Sequence, residues 1–377
     1  GLNILLDGIF YNGHGFAEGN RVLLRLLDQA GHRVRIHARD RHQSNLFLSR
    51  EEAAYIASFE STSLESRDLY LVNYVGYQIK ANPDFRVNIA RTTFETDRIP
   101  DSWVAELNRF DEVWVPSRFN EQTFRASGVE VPLRVVPNFM DTDQFDPRGD
   151  EVLPLPIPSG WFRFLSVFDL QDRKGYDLLI QAFMQEFTRE DRTALVLKVR
   201  QDRRLDKLVR LVKFHVRQHP SPPLVYLIDS MLSIRQLAAL YRSCDAFVLP
   251  TRGEGWGRPF FEAMLMELPT IGTDWSGQRE FMNETNSFLV PVKQLVQVRD
   301  SDFPYFNGHF WAEPSVKDLA AIMRYVRENR DQAAEVGRRA RAQLLERFSA
   351  ETLANIVRAE LAKHDPLAVT VEGGYGC

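Results

Sequence analysis

An α/β fold with two parallel-sheet domains facing across a cleft is what this sequence predicts, and three observations carry it. Short apolar runs alternate with helix-periodic segments along most of the 377 residues, the pattern of crossover units on a parallel sheet. Between 137 and 160 that rhythm stops, and Pro137, Pro147, Pro154, Pro156 and Pro158 fall among Asp141, Asp143, Asp146 and Asp150, which is the composition of a linker. Beyond it the alternation restarts, so two similar halves result, each long enough for its own core.

The first half opens with GLNILLDGIF. This apolar run has no basic leader and reads as a buried strand over 3–9, not a signal peptide. A turn holding Gly13 and Gly15 follows, then a helix over 17–30 with Val22, Leu23, Leu26 and Leu27 on one side. Apolar runs predict further strands at 33–36, 69–73, 87–90, 112–115 and 133–136. In the second half the order is strand 162–168, helix 176–187, strand 194–199, helix 207–217, strand 225–228, helix 234–242 and strand 246–249. From 315 to about 363 the pattern is almost all helix. The expected division is a Rossmann-like domain over 1–148, a second over 149–346, and a helix with a tail over 347–377. In such sheets ligands bind beyond the carboxyl ends of the strands.

Composition narrows the function classes. Hydrophobic residues make up 44% and charged residues 26%, a soluble globular balance. A net charge of -4 gives no reason to expect nucleic acid as a partner. With cysteines only at 244 and 377, a disulfide-stapled secreted fold is disfavoured and a reducing, cytoplasmic setting is expected. No window reaches the ~18 apolar residues of a membrane-spanning helix.

The most particular stretch is TRGEGWGRPFFEAM, residues 251–264. It follows a predicted strand, and Pro259 suits the first turn of a helix, so Glu254 to Gly257 lies at a strand end against a helix N-terminus. Exposed amides and the helix dipole favour a phosphate there, and Gly255 and Gly257 let backbone approach it. Glu254 and Glu262, eight positions apart, each offer two oxygens to a pair of hydroxyls, a sugar's for Glu254 and a ribose's for Glu262. Two diols flanking a diphosphate describe a nucleotide sugar. The plain alternative is a helix cap with surface charge.

EGWGRPFFE resembles the Glu-x7-Glu signature of retaining family 4 glycosyltransferases of the two-domain GT-B type. FDEVWVPSRFNEQTF (110–124), VVPNFMDTDQFDP (135–147) and DRKGYDLLIQAF (172–183) resemble further segments of that family in the same order. The resemblance covers nearly the whole chain. It implies a GT-B fold, with the 347–377 helix packing back on the first domain, Lys174 and Arg173 on the donor diphosphate, Glu254 as a further catalytic residue, and Gly13, Gly15, Gly255, Trp256, Gly257 and Glu262 on the donor. Acceptor-side candidates are His14, Glu95 and Asp97. Two departures stand out: Phe139 replaces the usual glycine of the linker motif, and Phe168-Asp169 stands where the family carries Gly-Arg. Glu280, in GTDWSGQREF, matches a family acid or caps a helix.

The activity this implies is retaining transfer of a hexose from a nucleoside diphosphate sugar, uridine with glucose first and guanosine with mannose next, to an acceptor hydroxyl. The acceptor would be a sugar or lipid-linked glycan, no metal or other cofactor is expected, and the setting would be polysaccharide or cell-envelope assembly. Two rivals use the same architecture: a nucleotide-sugar epimerase or hydrolase, and a non-catalytic sugar-nucleotide binder. Three other signals have bland explanations. Asp141-Thr142-Asp143 lies in the linker and reads as a turn, not a metal site. His215 and His219 lack a third ligand and read as a solvated helix face. The basic amphipathic segment around them could touch an anionic membrane from the cytoplasmic side, but more simply is a surface helix. Arg21, Arg25, Arg33, Arg35 and Arg39 likewise read as an ordinary charged face of the first domain.

Overall fold

In a computed structural model of the chain, residues 1–42, 48–200 and 202–366 are described. Two six-stranded parallel sheets form its two halves. The first contains β1 (Asn3–Gly8), β2 (Arg33–Ala38), β3 (Leu69–Asn73), β4 (Val87–Arg91), β5 (Glu112–Val115) and β6 (Leu133–Val135). The second contains β7 (Phe162–Phe168), β8 (Thr193–Val199), β9 (Leu224–Ile228), β10 (Ala246–Leu249), β11 (Thr270–Thr273) and β12 (Phe288–Val290). β3, β4, β5 and β10 are buried along their whole length, as strands covered on both faces must be. That double burial is why their sequences read as continuous apolar runs.

The two sheets differ in strand order. The second runs β12-β11-β10-β7-β8-β9, the order of dinucleotide-binding sheets, whose direction reverses between β7 and β10. The first runs β2-β1-β3-β4-β5-β6, a flavodoxin-like order that reverses between β1 and β3. Helix α1 (Gly15–Gln29) follows β1 and starts two residues before the sequence expectation. Its N-cap is His14, whose Nδ1 accepts from the Phe16 amide at 3.2 Å, a role for which Ser, Thr, Asp and Asn are the usual signals. Helices α2 (Arg50–Ser58), α3 (Asp101–Leu107) and α4 (Arg118–Ser127) follow. Then come α5 (Tyr176–Glu186), α6 (Leu205–Gln218), α7 (Ile234–Arg242) and α8 (Arg258–Leu265) in the second half.

Between Val136 and Gly160 the chain has no helix or strand beyond a single turn over Thr142–Gln144. Asp141 accepts from the Asp143 amide at 3.1 Å to close that turn, so the Asp-x-Asp is local geometry, as expected. Core membership changes within the linker at one bond, since Phe139 is packed in the first domain's core and Met140 in the second's. Phe139 fills space a glycine would leave open. The Arg91 guanidinium lies 4.6 Å from its ring and donates to Val136 O and Pro137 O, each at 3.1 Å.

Two further segments join the halves. Helices α9 (Val316–Glu328) and α10 (Arg330–Phe348) pack on the second sheet, but α11 (Ala350–Ala362) sends Leu353, Val357 and Leu361 into the first domain's core. The expected return of the last helix is therefore present. A hairpin of β13 (Leu295–Gln297) and β14 (Phe310–Ala312) was not foreseen. It leaves the second domain after β12 and places Val298, Phe306 and Trp311 among the buried aromatic residues of the first. Asp97 holds it by two bonds, accepting from the Phe310 amide at 2.7 Å and donating its own amide to Phe310 O at 3.0 Å. Any closure of the cleft must work around this clasp. Among the described residues no helix is long and apolar enough to cross a membrane. Cys244 is buried and unbridged, and Cys377 lies outside the described residues.

Candidate active site

The reversal point of the second sheet brings two distant loops together. After β7 the chain makes a short turn over Asp172–Lys174, and after β10 it runs through Thr251 to Gly257 before α8. Lys174 Nζ donates to both oxygens of Glu254, at 2.9 and 3.2 Å. Arg173 Nη1 donates to Glu254 Oε2 at 3.1 Å and to Gly253 O at 2.5 Å. Thr251 Oγ1 adds a bond to Glu254 Oε1 at 2.9 Å, and Ser276 Oγ receives the Glu254 amide at 2.9 Å. All three charged side chains are buried. Burial pushes the Glu254 carboxyl up, but the Lys174 and Arg173 charges outweigh it and hold the pKa at about 2. Glu254 is therefore a fixed anion that aims two cations.

This changes the role expected of Glu254. Both of its oxygens are occupied by Lys174, Arg173 and Thr251, so it has little left to accept from sugar hydroxyls. Arg173 is turned to Glu254 rather than standing in for the Gly-Arg arginine. Where that arginine is expected, Phe168 is buried and stacked on Tyr176 with ring centroids 5.6 Å apart. Asp169 is exposed there with Arg200 at 3.9 Å.

Glu262 sits one turn inside α8, buried behind the site. Burial raises its pKa to about 8, with Arg258 pulling down and Glu18 pushing up by smaller amounts. At neutral pH it is chiefly a neutral acid, which can donate one bond to a diol as well as accept. Gly257 caps α8 at φ +97°, a left-handed conformation that favours glycine. Trp256 points the other way, into a ring cluster with Phe261, Phe281 and Phe348. Its side chain is core, so of the donor role expected for Trp256 only a backbone contact is left open.

The first domain contributes the opposite wall. Gly13, His14 and Gly15 lead into α1 at that sheet's own reversal point. Glu18, in the first turn of α1, forms an ion pair with Arg258 at the head of α8. Two helix N-termini, one per domain, thus face each other across the cleft, each with free amides suited to an anion. Desolvation by the surrounding protein lowers the His14 pKa, although the residue remains exposed to solvent. Glu95, after β4, reaches to 4.0 Å from Arg173, and burial raises its pKa as well. The seam is tight: a Cβ at Gly255 would fall 1.6 Å from Thr93 Oγ1 of the other domain.

Not every sequence candidate converges here. Asp97 is taken up by the hairpin, as described. Glu280 lies at the head of α4, accepting from the Arg118 amide, so it caps a helix, and does so across the domain seam. His219 binds the Phe187 carbonyl and the Ser221 amide, each at 3.0 Å, and belongs to no site. Sequence reading missed Arg258, Glu18, Thr251 and Ser276. Only the position of Arg258 at the head of a predicted helix could have suggested one of them. Among the described residues no group of three or more His, Cys, Asp or Glu side chains is arranged to hold a metal.

Comparison with known proteins bears on the fold and on the second domain. Residues 162–299 match the family described as Glycosyl transferases group 1. The first domain lies outside that match. A protein of the Sulfolobus islandicus filamentous virus (isolate Iceland/Hveragerdi), named as an inferred glycosyltransferase, is 22% identical over 70% of this chain and 72% of its own. Sucrose-phosphate synthase from Thermosynechococcus elongatus superimposes with a TM-score of 0.70 at 19% identity, over 96% of this chain and 99% of that one. HepE of Anabaena, solved with UDP and glucose, gives 0.63 at 16% identity over 96% and 100%. The pneumococcal O-GlcNAc transferase GtfA, solved with UDP and GlcNAc, gives 0.55 at 15% identity over 82% and 59%. The fold is GT-B. The chain carries a glycosyltransferase domain over residues 162–299 and is by that domain a transferase.

Proposed function

We propose that this transferase moves a hexose, with retention, from a nucleoside diphosphate sugar to a hydroxyl of a sugar or lipid-linked glycan. The observation that carries the reading is the convergence of Lys174 and Arg173 on Glu254 at the reversal point of the second sheet. A diphosphate lying between the heads of α1 and α8 would meet these cations and two sets of free amides. Glu262 would receive the ribose diol. In the reaction the acceptor oxygen bonds to the anomeric carbon as the bond from that carbon to the phosphate oxygen breaks. The acceptor proton passes to the leaving phosphate on the same face, so no protein nucleophile is used. Lys174 and Arg173 stabilise the charge that grows on the diphosphate, and the reading requires no metal. UDP is the first choice of nucleotide, supported by the UDP named with HepE and GtfA. Glucose is the first choice of sugar, GDP-mannose follows, and polysaccharide or cell-envelope assembly is the setting.

Thermal melting with UDP, GDP, ADP and their sugar conjugates, in EDTA and in magnesium, tests this. One diphosphate should raise Tm in EDTA, and Glu262→Ala should abolish the rise. No shift with any nucleotide, or a shift that needs magnesium, would refute it.

A further inference from the structure

Two exposed tyrosines, one from each domain, meet where the hairpin packs on the first domain. Tyr77 follows β3, at the reversal point of the first sheet, and is 59% exposed. Tyr305 lies in the loop of the β13–β14 hairpin and is 37% exposed. Their ring centroids are 6.4 Å apart with planes inclined by 30°. Both rest on the same buried ring, Trp103, at 6.3 and 6.0 Å. The three centroids make a nearly equilateral triangle, with one corner inside and two facing water.

The position is chemical as well as exposed. Phe306, next to Tyr305, lies 6.0 Å beneath the Arg173 guanidinium, and the Tyr305 hydroxyl feels the charge of Glu95. Glu95 is thus close both to Tyr305 and to Arg173 of the Lys174–Arg173–Glu254 cluster. An aromatic face beside a carboxylate suits a pyranose, whose C–H face packs on rings while its hydroxyls seek acceptors. It offers an acidic sugar little attraction, because the nearby cations Arg173 and Lys174 are already bound to Glu254.

We infer that Tyr77 and Tyr305 form the stacking floor of an acceptor subsite for a neutral sugar ring, with Glu95 receiving its hydroxyls. This rests on the transferase reading above and names the acceptor's chemical class. The subsite exists only while the hairpin holds Tyr305 against the first domain, so the second domain supplies half of the acceptor's floor.

A printed array of neutral, sulfated and uronic-acid glycans, probed with fluorescent protein in saturating UDP, tests the inference. The wild type should mark neutral glycans. Tyr305→Ala and Tyr77→Ala should each lower that signal about tenfold, as expected for loss of one stacked ring. Tyr305→Phe, which keeps the ring, should bind like the wild type. The Tm rise with UDP should be equal in all four proteins, which shows that the variants fold and that the donor side is intact. Alanine variants that bind glycans normally would overturn the inference. So would a wild type that responds to UDP but marks no glycan, or only acidic ones. A wild type that ignores UDP would remove the transferase reading and this inference with it.

Discussion

Replacing Glu254 by glutamine keeps the side chain's shape and removes the one charge that balances Lys174 and Arg173 inside the second domain. Against burial, the Lys174 and Arg173 charges hold its carboxyl at about 2, well below the 4.5 of an ordinary glutamate. A shift of that size corresponds to on the order of 3 kcal/mol of differential interaction. That agrees with the ~3–5 kcal/mol typical of breaking a buried ion pair from one side. If the second domain melts as a unit of roughly 200 residues, Tm at pH 7 should fall by about 7 °C. The sign with pH is fixed as well. Glu254 has a depressed folded pKa, so its stabilisation is complete above 4.5 and is lost as pH falls toward 2. Scanning calorimetry of wild type and Glu254→Gln from pH 7 to pH 2.5 should show the Tm gap close on the acid side. UDP binding by the variant, measured by calorimetric titration, should be no weaker than the wild type's, since two cations are released toward the phosphates. A gap that does not change with pH would refute the counter-ion role. Weaker UDP binding in a well-folded variant would mean that the two cations need Glu254 to aim them at the phosphates.

Glu262 should behave in the opposite sense. Its folded pKa is raised to about 8 from 4.5, so its stabilisation is full below 4.5 and is lost as pH rises to 8, at about 1.4 kcal/mol per pH unit. Glu262→Gln should therefore gain Tm relative to wild type across that window, and equal melting curves at pH 5 and pH 8 would refute the raised value. Lys174→Ala should lower kcat by roughly 10²–10³-fold, as for loss of one group stabilising a developing anion. A steady-state assay with the donor found by melting reads this directly. Trp311→Ala should cost about 3–5 kcal/mol of clasp packing. Limited proteolysis should then cut the hairpin loop in the variant before the wild type, and identical digestion rates would contradict the clasp.

What was legible followed from local physics. Strands buried on both faces announce themselves as apolar runs, and β3, β5, β7 and β10 have the predicted bounds. The linker was visible because proline and aspartate exclude regular structure. The return of α11 and the meeting of the 173–174 and 254 segments came from family resemblance, not from periodicity. The hairpin was invisible for a physical reason: strands of three residues are too short to show alternation. α2 was missed because only Ile56 among its residues is buried, leaving almost no apolar stripe. The reversed role of Glu254 could not be read at all. Lone-pair occupancy depends on which side chains the fold delivers to it, and those lie about 80 residues away.

The segments that cross between domains also set an order of assembly. The first domain's strands end at β6, yet its core is closed by Val298, Phe306 and Trp311 and then by Leu353, Val357 and Leu361. On a ribosome adding ~5–20 residues per second, the last of these emerges tens of seconds after Val135. Until then the N-terminal half waits with two hydrophobic faces uncovered. The usual N-terminal-first course would leave that core open, so the second half supplies the side chains that complete the first.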